Sequence, residues 1–426
     1  MQDIEQLNVD CTCVTLDQAA LCAALTRIVG DPTFCADLAR THPHLVASQP
    51  VFLTASHADA MQRSITAIER VASLPAYAQA IADHVPDIAR AAPGAIGVFM
   101  GYDFHLSPDG PKLIEINTNA GGGLINAYLL GAQYVCCGDV AVTHPGPIDV
   151  DIILKSYVES FREEWRRQGR TEGLKRIAIV DDTPQEQYLY PEFVLFKRLL
   201  ESHGIAARIA APEDLHLESG HVWLGSDKID LIYNRLTDFD LSDQRHAVLR
   251  SAFATNAAVV TPNPWGYAHL ADKRNLVLLS DPARLAEIGA AFGDIETLRQ
   301  TIPRTIAVTR ENADALWKIR NTLFFKPTTG FGSKATYRGD KLTTKAWAGI
   351  LERAYVAQDI VTPSGRAVAL NGHVQNLKAD LRCYTYAGRT QLIAARLYSG
   401  QTTNFRTEGG GFAPVFVSSA SADCRC

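Results

Sequence analysis

One stretch constrains this chain more than any other: residues 98–124, VFMGYDFHLSPDGPKLIEINTNAGGGL. Two strand-like runs, 98–106 and 112–117, flank Ser107-Pro108-Asp109-Gly110. That tetrapeptide is a tight-turn sequence, so the two runs are expected to pair as a hairpin. Side chains alternate along a strand, which puts Glu115 and Asn117 on one face with Leu113, and Ile114 and Ile116 on the other. Pairing brings Asp103 onto the same side. Two carboxylates and an amide oxygen are hard oxygen donors, and they suit Mg²⁺ with positions left open for phosphates. The bland alternative stays open: Asp103 as a turn residue, Glu115 as a solvated edge charge, Asn119-Ala120-Gly121 as a plain loop. The three glycines at 121–123 let a backbone approach a ligand closely.

The chain has 426 residues, 47% hydrophobic and 20% charged, enough for two or three domains with sizeable cores. A net charge of -5 and a pI near 6.2 give no sign of a nucleic-acid partner or a polybasic membrane surface. No apolar run reaches spanning length, and MQDIEQLNVD is too polar for a signal peptide, so a cytoplasmic protein is expected. In that compartment the nine cysteines are read as scattered thiols rather than disulfides. Zinc held by Cys11/Cys13 and Cys424/Cys426 is the alternative, without C-x-x-C or histidine spacing to support it.

Residues 14–95 read as mostly helical, with Met61, Ile65, Ile68 and Val71 at helical spacing. A helical patch is expected over 124–136, a connection over 138–150 and a helix over 151–169. Then a β-α-β rhythm begins: strands at 176–181, 206–210 and 228–233, with a helix at 190–203. This predicts a small parallel α/β domain over about 171–268. Asp181-Asp182 and Asn234-Arg235 follow the first and third strands, where open α/β sheets bind ligands. Arg235 reads either as a bidentate carboxylate clamp or as an ion-pair partner of Asp238 or Asp240.

A helix is expected from His269 to Leu279, with Asp272 as N-cap and Lys273 in the first turn, a mild hint at phosphate. At 322–337 a strand ends on Lys326-Pro327, a loop carries Gly330, Gly332 and Ser333, and a second strand starts at Lys334. Such a loop either wraps phosphate oxygens with its N–H groups, aided by Lys326, or is an ordinary β-turn. It is not the P-loop pattern. Gln358-Asp359 lies in a strand run whose backbone edge can read a purine. Strands at 379–386 and 391–398 put Asp380 and Arg382 on one face and Arg396 on the partner. With Arg406 nearby, these cations suggest a local anion site within an acidic protein. The tail from Val417 is expected to fray.

In that order, these residues resemble the ATP-grasp superfamily. Lys273, Lys326 with its glycine loop, Gln358-Asp359, Asp380-Leu381-Arg382, Arg396 and Asn404-Phe405-Arg406 follow its sequence of motifs. In most relatives an E-x-N metal strand comes after this region. Here the Asp103/Glu115/Asn117 hairpin comes before the α/β domain, which resembles the circularly permuted group that includes glutathionylspermidine synthetase and eukaryotic glutathione synthetase. Gln358 departs from the pattern, standing where many relatives have glutamate.

The resemblance implies an α/β (α+β) fold with two antiparallel-sheet lobes, a small parallel α/β domain and an N-terminal helical region. The implied boundaries are 1–95 helical region, 96–150 metal hairpin, 171–268 small domain, 269–416 nucleotide-binding lobes and 417–426 flexible tail. It implies an ATP-dependent carboxylate–amine ligase acting through an acyl phosphate, with ATP and Mg²⁺ as cofactors. Asp103, Glu115 and Asn117 would hold the metal. Lys273, Lys326, Gly330, Gly332, Ser333, Gln358, Asp359 and Gly410 would hold the nucleotide. Arg396, Arg382 and Arg406 would be catalytic, and Asn234 and Arg235 would face the substrate. The partners are small-molecule or peptide acids and amines, with no nucleic acid and no membrane. A non-catalytic ATP-binding regulatory protein of this fold is the alternative. A nicotinamide-dependent oxidoreductase needs G-x-G-x-x-G after the first strand, and Asp181-Asp182-Thr183-Pro184 is not that.

Overall fold

The computed structural model describes residues 4–134, 149–330 and 335–418. A seven-stranded sheet dominates it. Its order runs Val51–Thr54, Gly411–Ser418, Arg389–Tyr398, His373–Tyr386, Met100–Ser107, Gly110–Asn117, with Ser364–Leu370 added on His373–Tyr386. Neighbours are antiparallel except Val51–Thr54 beside Gly411–Ser418. The expected hairpin therefore forms, and its first strand pairs with residues 381–385.

The Ala55–Ala72 helix covers this sheet, capped by Thr54, whose Oγ1 accepts from His57 N–H at 3.2 Å. Met61, Ile65, Ile68 and Val71 are all buried, as their spacing predicts. Each contributes roughly 1.5–3 kcal/mol by leaving water. The otherwise helical segment over 14–95 also contains strands Thr15–Leu16 and Val51–Thr54, which the periodicity does not reveal.

A second antiparallel sheet is ordered Thr305–Ala307, Tyr355–Asp359, Leu323–Pro327, Tyr337–Arg338. The expected strand start at Lys334 is thus displaced to Tyr337; Lys334 itself lies outside the described residues. The parallel sheet is ordered Val259–Thr261, Leu231–Asn234, Arg176–Val180, Ala206–Ala210. The expected strand over 228–233 splits in two. Asp227–Ile229 joins a small antiparallel sheet, and only Leu231–Asn234 enters the parallel ladder. Phe99, Phe161, Phe196 and Tyr233 lock this domain to the large sheet, with neighbouring ring centroids 5.0–6.3 Å apart.

Three further expectations are corrected. Cys22 and Cys35 form a disulfide: Gly30 ends the Gln18–Val29 helix at φ +74°, the chain folds back, and the two Cα atoms come within 5.3 Å. Cys13 is disulfide-bonded as well, while Cys383 stays a buried thiol. Cys136, Cys137, Cys424 and Cys426 lie outside the described residues. The helix expected over 269–279 breaks: Tyr267–Ala271 is one π-helical turn and the α-helix starts only at Asn275. Asp272 caps Arg274 N–H at 2.9 Å, and Lys273 sits in the break. Val417 and Ser418 belong to the last strand of the large sheet and do not fray.

Candidate active site

A cavity of about 1080 Å³ opens where the hairpin, the four-stranded antiparallel sheet and the carboxyl ends of the parallel strands meet. Asp103, Glu115 and Asn117 line it together, as the alternation requires. Asp103 stands directly across the ladder from Glu115, and Asn117 Nδ2 donates to Asp103 Oδ2 at 3.1 Å.

Both carboxylates are already engaged by cations. Arg382 grips Asp103 bidentately, with Nε at 2.6 Å and Nη2 at 2.7 Å. Arg396 Nη2 adds a third contact at 2.8 Å and also holds Asp380 at 3.0 Å. The burial cost to Asp103 is large, but the two guanidinium groups outweigh it and hold its carboxyl well below the usual range. Asp103 and Asp380 in turn raise Arg396 against its own burial. Lys273 Nζ lies 2.9 Å from Glu115 Oε1 and 3.4 Å from Gly330 O. Burial works to raise Glu115; Lys273 and Lys326 prevail and keep it lowered.

Lys326 Nζ donates to Ile114 O at 2.8 Å and to Gln358 Oε1 at 2.7 Å. Burial pushes its pKa down to about 8, against the pull of Glu115. Three buried cations, Lys273, Lys326 and Arg382, and a half-buried Arg396 thus face three carboxylates, Asp103, Glu115 and Asp380. The excess charge is positive, which suits a polyanion.

Gly330, Gln358, Asp359, Arg235 and an exposed Arg406 also line the cavity. Gly332 and Ser333 lie outside the described residues. Asn234 does not line it: its amide donates to Pro262 O and accepts from Leu236 N–H, fixing a turn. Gly410 does not line it either; a Cβ there would stand 2.5 Å from Leu397 O. Arg235 pairs with neither Asp238 nor Asp240. Asp238 accepts from His246 at 2.7 Å instead.

The 121–123 glycines have another reason than ligand approach. All three are buried. A Cβ at Gly121 would lie 2.2 Å from Leu189 Cδ1, and one at Gly122 would lie 2.2 Å from the Phe412 ring. Glu192, 1% exposed, accepts from Gly122 N–H at 2.8 Å and Leu124 N–H at 3.0 Å, anchoring the helix that follows.

Sequence reasoning passed over Asn119 and His105. Asn119 Oδ1 accepts from Arg235 Nη1 at 2.7 Å. His105 Nδ1 lies 2.7 Å from Val361 O, and burial lowers the ring's pKa. His105 shares the alternation of Asp103, which was a usable signal; nothing local marks Asn119.

Among the described residues no group of three His, Cys, Asp or Glu side chains forms a ready metal site. Glu115 and Asn117 keep oxygen atoms that fit a hard cation. The Asp103 oxygens are taken up by Arg382, Arg396 and Asn117.

No protein-family model matches this sequence, and neither does any curated protein. Solved structures do. A glutathione synthetase-like effector from Globodera pallida, in its apo form, is 11% identical with a TM-score of 0.55, over 94% of this chain and 98% of that one. A putative gamma-glutamylcysteine synthetase from Methylobacillus flagellatus is 11% identical with a TM-score of 0.47, over 86% and 87%. The ATP-grasp ligase PsnB, solved with a minimal precursor, Mg and ADP, is 13% identical with a TM-score of 0.29, over 56% and 87%. Spanning nearly the whole of both chains, the first likeness identifies the architecture: this chain shares its mixed α/β fold with that glutathione synthetase-like protein.

Proposed function

We propose that this protein is an ATP-dependent carboxylate–amine ligase. The carrying observation is the cavity in which Lys273, Lys326, Arg382 and Arg396 converge on the Asp103/Glu115/Asn117 hairpin. In the proposed reaction a carboxylate oxygen takes the γ-phosphoryl group of ATP, releasing ADP. An amine then displaces phosphate from the acyl phosphate and gives an amide, losing one proton.

The chain's own groups serve positioning and charge stabilisation, which is most of what phosphoryl transfer asks of a protein. Lys273 and Lys326 would hold phosphate oxygens, beside the backbone at Gly330. Arg396, supported by Arg382 and an exposed Arg406, would face the charge that develops on the transferred group. Gln358 and Asp359 would border the base. Mg²⁺ would be held by Glu115 and Asn117, with Asp103 joining only when its arginines turn to phosphate; it would screen phosphate charge. The pairing of residues 100–104 with residues 381–385 supports the permuted order of motifs.

A second reading is a nucleotide-binding protein without turnover. It is favoured by the closed ion pairs of the site and by the likeness to a glutathione synthetase-like effector from Globodera pallida. Two measurements separate the readings. A Mg²⁺-dependent thermal shift with ATP is expected under both. Release of phosphate that requires both an acid and an amine is expected only of the ligase, and its absence across a broad panel of pairs would sink that reading.

A further inference from the structure

The Phe34–Thr41 helix has one buried residue, Cys35, and that residue is half of the Cys22–Cys35 disulfide. Phe34 and Leu38 are only partly buried against the core beneath. A helix of eight residues is too short to hold itself together in water, so its place depends on what fastens it. The disulfide ties its first turn to the Gln18–Val29 helix. Beyond its last turn, Phe412 N–H donates to Leu45 O and Ala47 N–H donates to Phe412 O, both at 2.8 Å, which joins the chain to the last strand of the large sheet.

This helix is the outer wall of a second cavity, of about 470 Å³, and the 185–191 segment is its inner wall. Gln187 and Tyr188 belong to that inner wall and also line the active cavity. An aromatic row crosses between the two. His42, the C-cap of the helix, stands 4.8 Å ring to ring from Tyr188, and Tyr188 stands 5.2 Å from Phe405. Phe405 lines the active cavity beside Arg406 and packs on Phe412 at 4.8 Å. Tyr188 is 39% exposed, so the flanking rings rather than a surrounding core fix its position. A disulfide thus stands at one end of the row and a cation of the active cavity at the other.

We propose that the Cys22–Cys35 disulfide is a redox latch on the wall of the active cavity, opened by a dithiol reductant. Cys22 is half-buried and Cys35 is 8% exposed, so an incoming thiolate reaches the bond at Cys22. It bonds to Cys22 Sγ, and the Cys35 sulfur leaves as a thiolate. The second thiol of the reductant then attacks the mixed disulfide and releases Cys22. The reductant gives two electrons and two protons and departs as a disulfide, and both cysteines end as thiols. The freed helix swings about residues 45–47, His42 leaves Tyr188, and Phe405 and Arg406 lose their outer support. The inference rests on the ligase reading only for its effect on turnover.

Hydrogen exchange read by mass spectrometry on the full chain tests it, in oxidising buffer and after dithiothreitol. Exchange over 34–44, 187–190 and 402–406 should quicken roughly tenfold or more on reduction, while the Arg176–Val180 strand keeps its protection. Cys13 is disulfide-bonded as well, so Cys22→Ala combined with Cys35→Ala is the control. In oxidising buffer it should show the reduced pattern, and the dithiol should change those segments no further. The wild-type comparison stands even if the double variant fails to fold. A bond that resists the dithiol in the folded protein, faster exchange throughout the molecule, unchanged exchange in the three segments, or a double variant that still responds there would each overturn the proposal. Phosphate release keeps the two inferences apart. It should fall several-fold on reduction, and an equal rate in both states would overturn the latch while leaving the ligase. Local opening in a protein that releases no phosphate in either state leaves the latch and removes the ligase.

Discussion

Lys326 meets a neutral partner: its Nζ lies 2.7 Å from Gln358 Oε1, so its charge is not cancelled where it faces the cavity. The folded lysine titrates near 8, below its ordinary 10.5. The charged form is thus penalised in the folded state, in full below pH 8, and stability rises with pH between those two values. Ligand binding runs the other way, because the same window removes the charge. ATP affinity should fall by roughly tenfold per unit above pH 8. Lys326→Arg should flatten that profile and Lys326→Ala should weaken binding at neutral pH. A flat wild-type profile by calorimetry would remove Lys326 from the nucleotide site.

Glu115 tests the hairpin at a measurable cost in stability. Its own side chain is 30% exposed, but Lys273 is 7% exposed, and loss of the carboxylate leaves that ammonium only Gly330 O at 3.4 Å. Glu115→Ala should still fold, with a lowered melting temperature, and reduce phosphate release by about a hundredfold or more. Near-normal turnover would show that the hairpin does not carry the chemistry.

Asp103 behaves differently. It is buried between Arg382 and Arg396, and removing its charge leaves two guanidinium groups competing for Asp380. Asp103→Asn should cost about 3–5 kcal/mol in denaturant unfolding, as for other broken buried pairs. A cost below about 1 kcal/mol, the range of exposed pairs, would mean that the arginines are held by something else.

Gly122 is held at φ +93° against the Phe412 ring. Gly122→Ala should destabilise the fold by about 1–3 kcal/mol through overpacking, besides the backbone strain. Unchanged stability with weakened nucleotide binding would restore the ligand-approach reading of these glycines.

The hairpin was legible because turn chemistry and alternation agree over Ser107–Gly110 and its flanks, and the alternation carried Asp103, Glu115 and Asn117 to one face. The parallel strands were legible as short apolar runs, although Lys228–Ile229 belongs to a different sheet from Leu231. Val51–Thr54 escaped notice because four residues in a helical context give no period; its place is set by a strand more than 360 positions away. The glycine run showed where the backbone is crowded but not what crowds it, since Leu189 and Phe412 come from distant segments. Likewise a sequence shows two carboxylates at 238 and 240 close to Arg235, and only folding turns Asp238 to His246.

The Asp103–Arg382 pair joins residues 279 positions apart. A ribosome emitting this chain releases the hairpin long before the strand that completes it. Until then the Met100–Ser107 strand has an open edge of unpaired amides, the kind of surface on which nascent chains aggregate. Closing so large a loop is entropically costly, and such long-range pairing slows folding. A message truncated anywhere before residue 381, or a chain clipped there by a protease, inherits the acidic half of the site without its arginines. Such fragments lack Arg382 and Arg396 and leave the edge of the Met100–Ser107 strand unpaired.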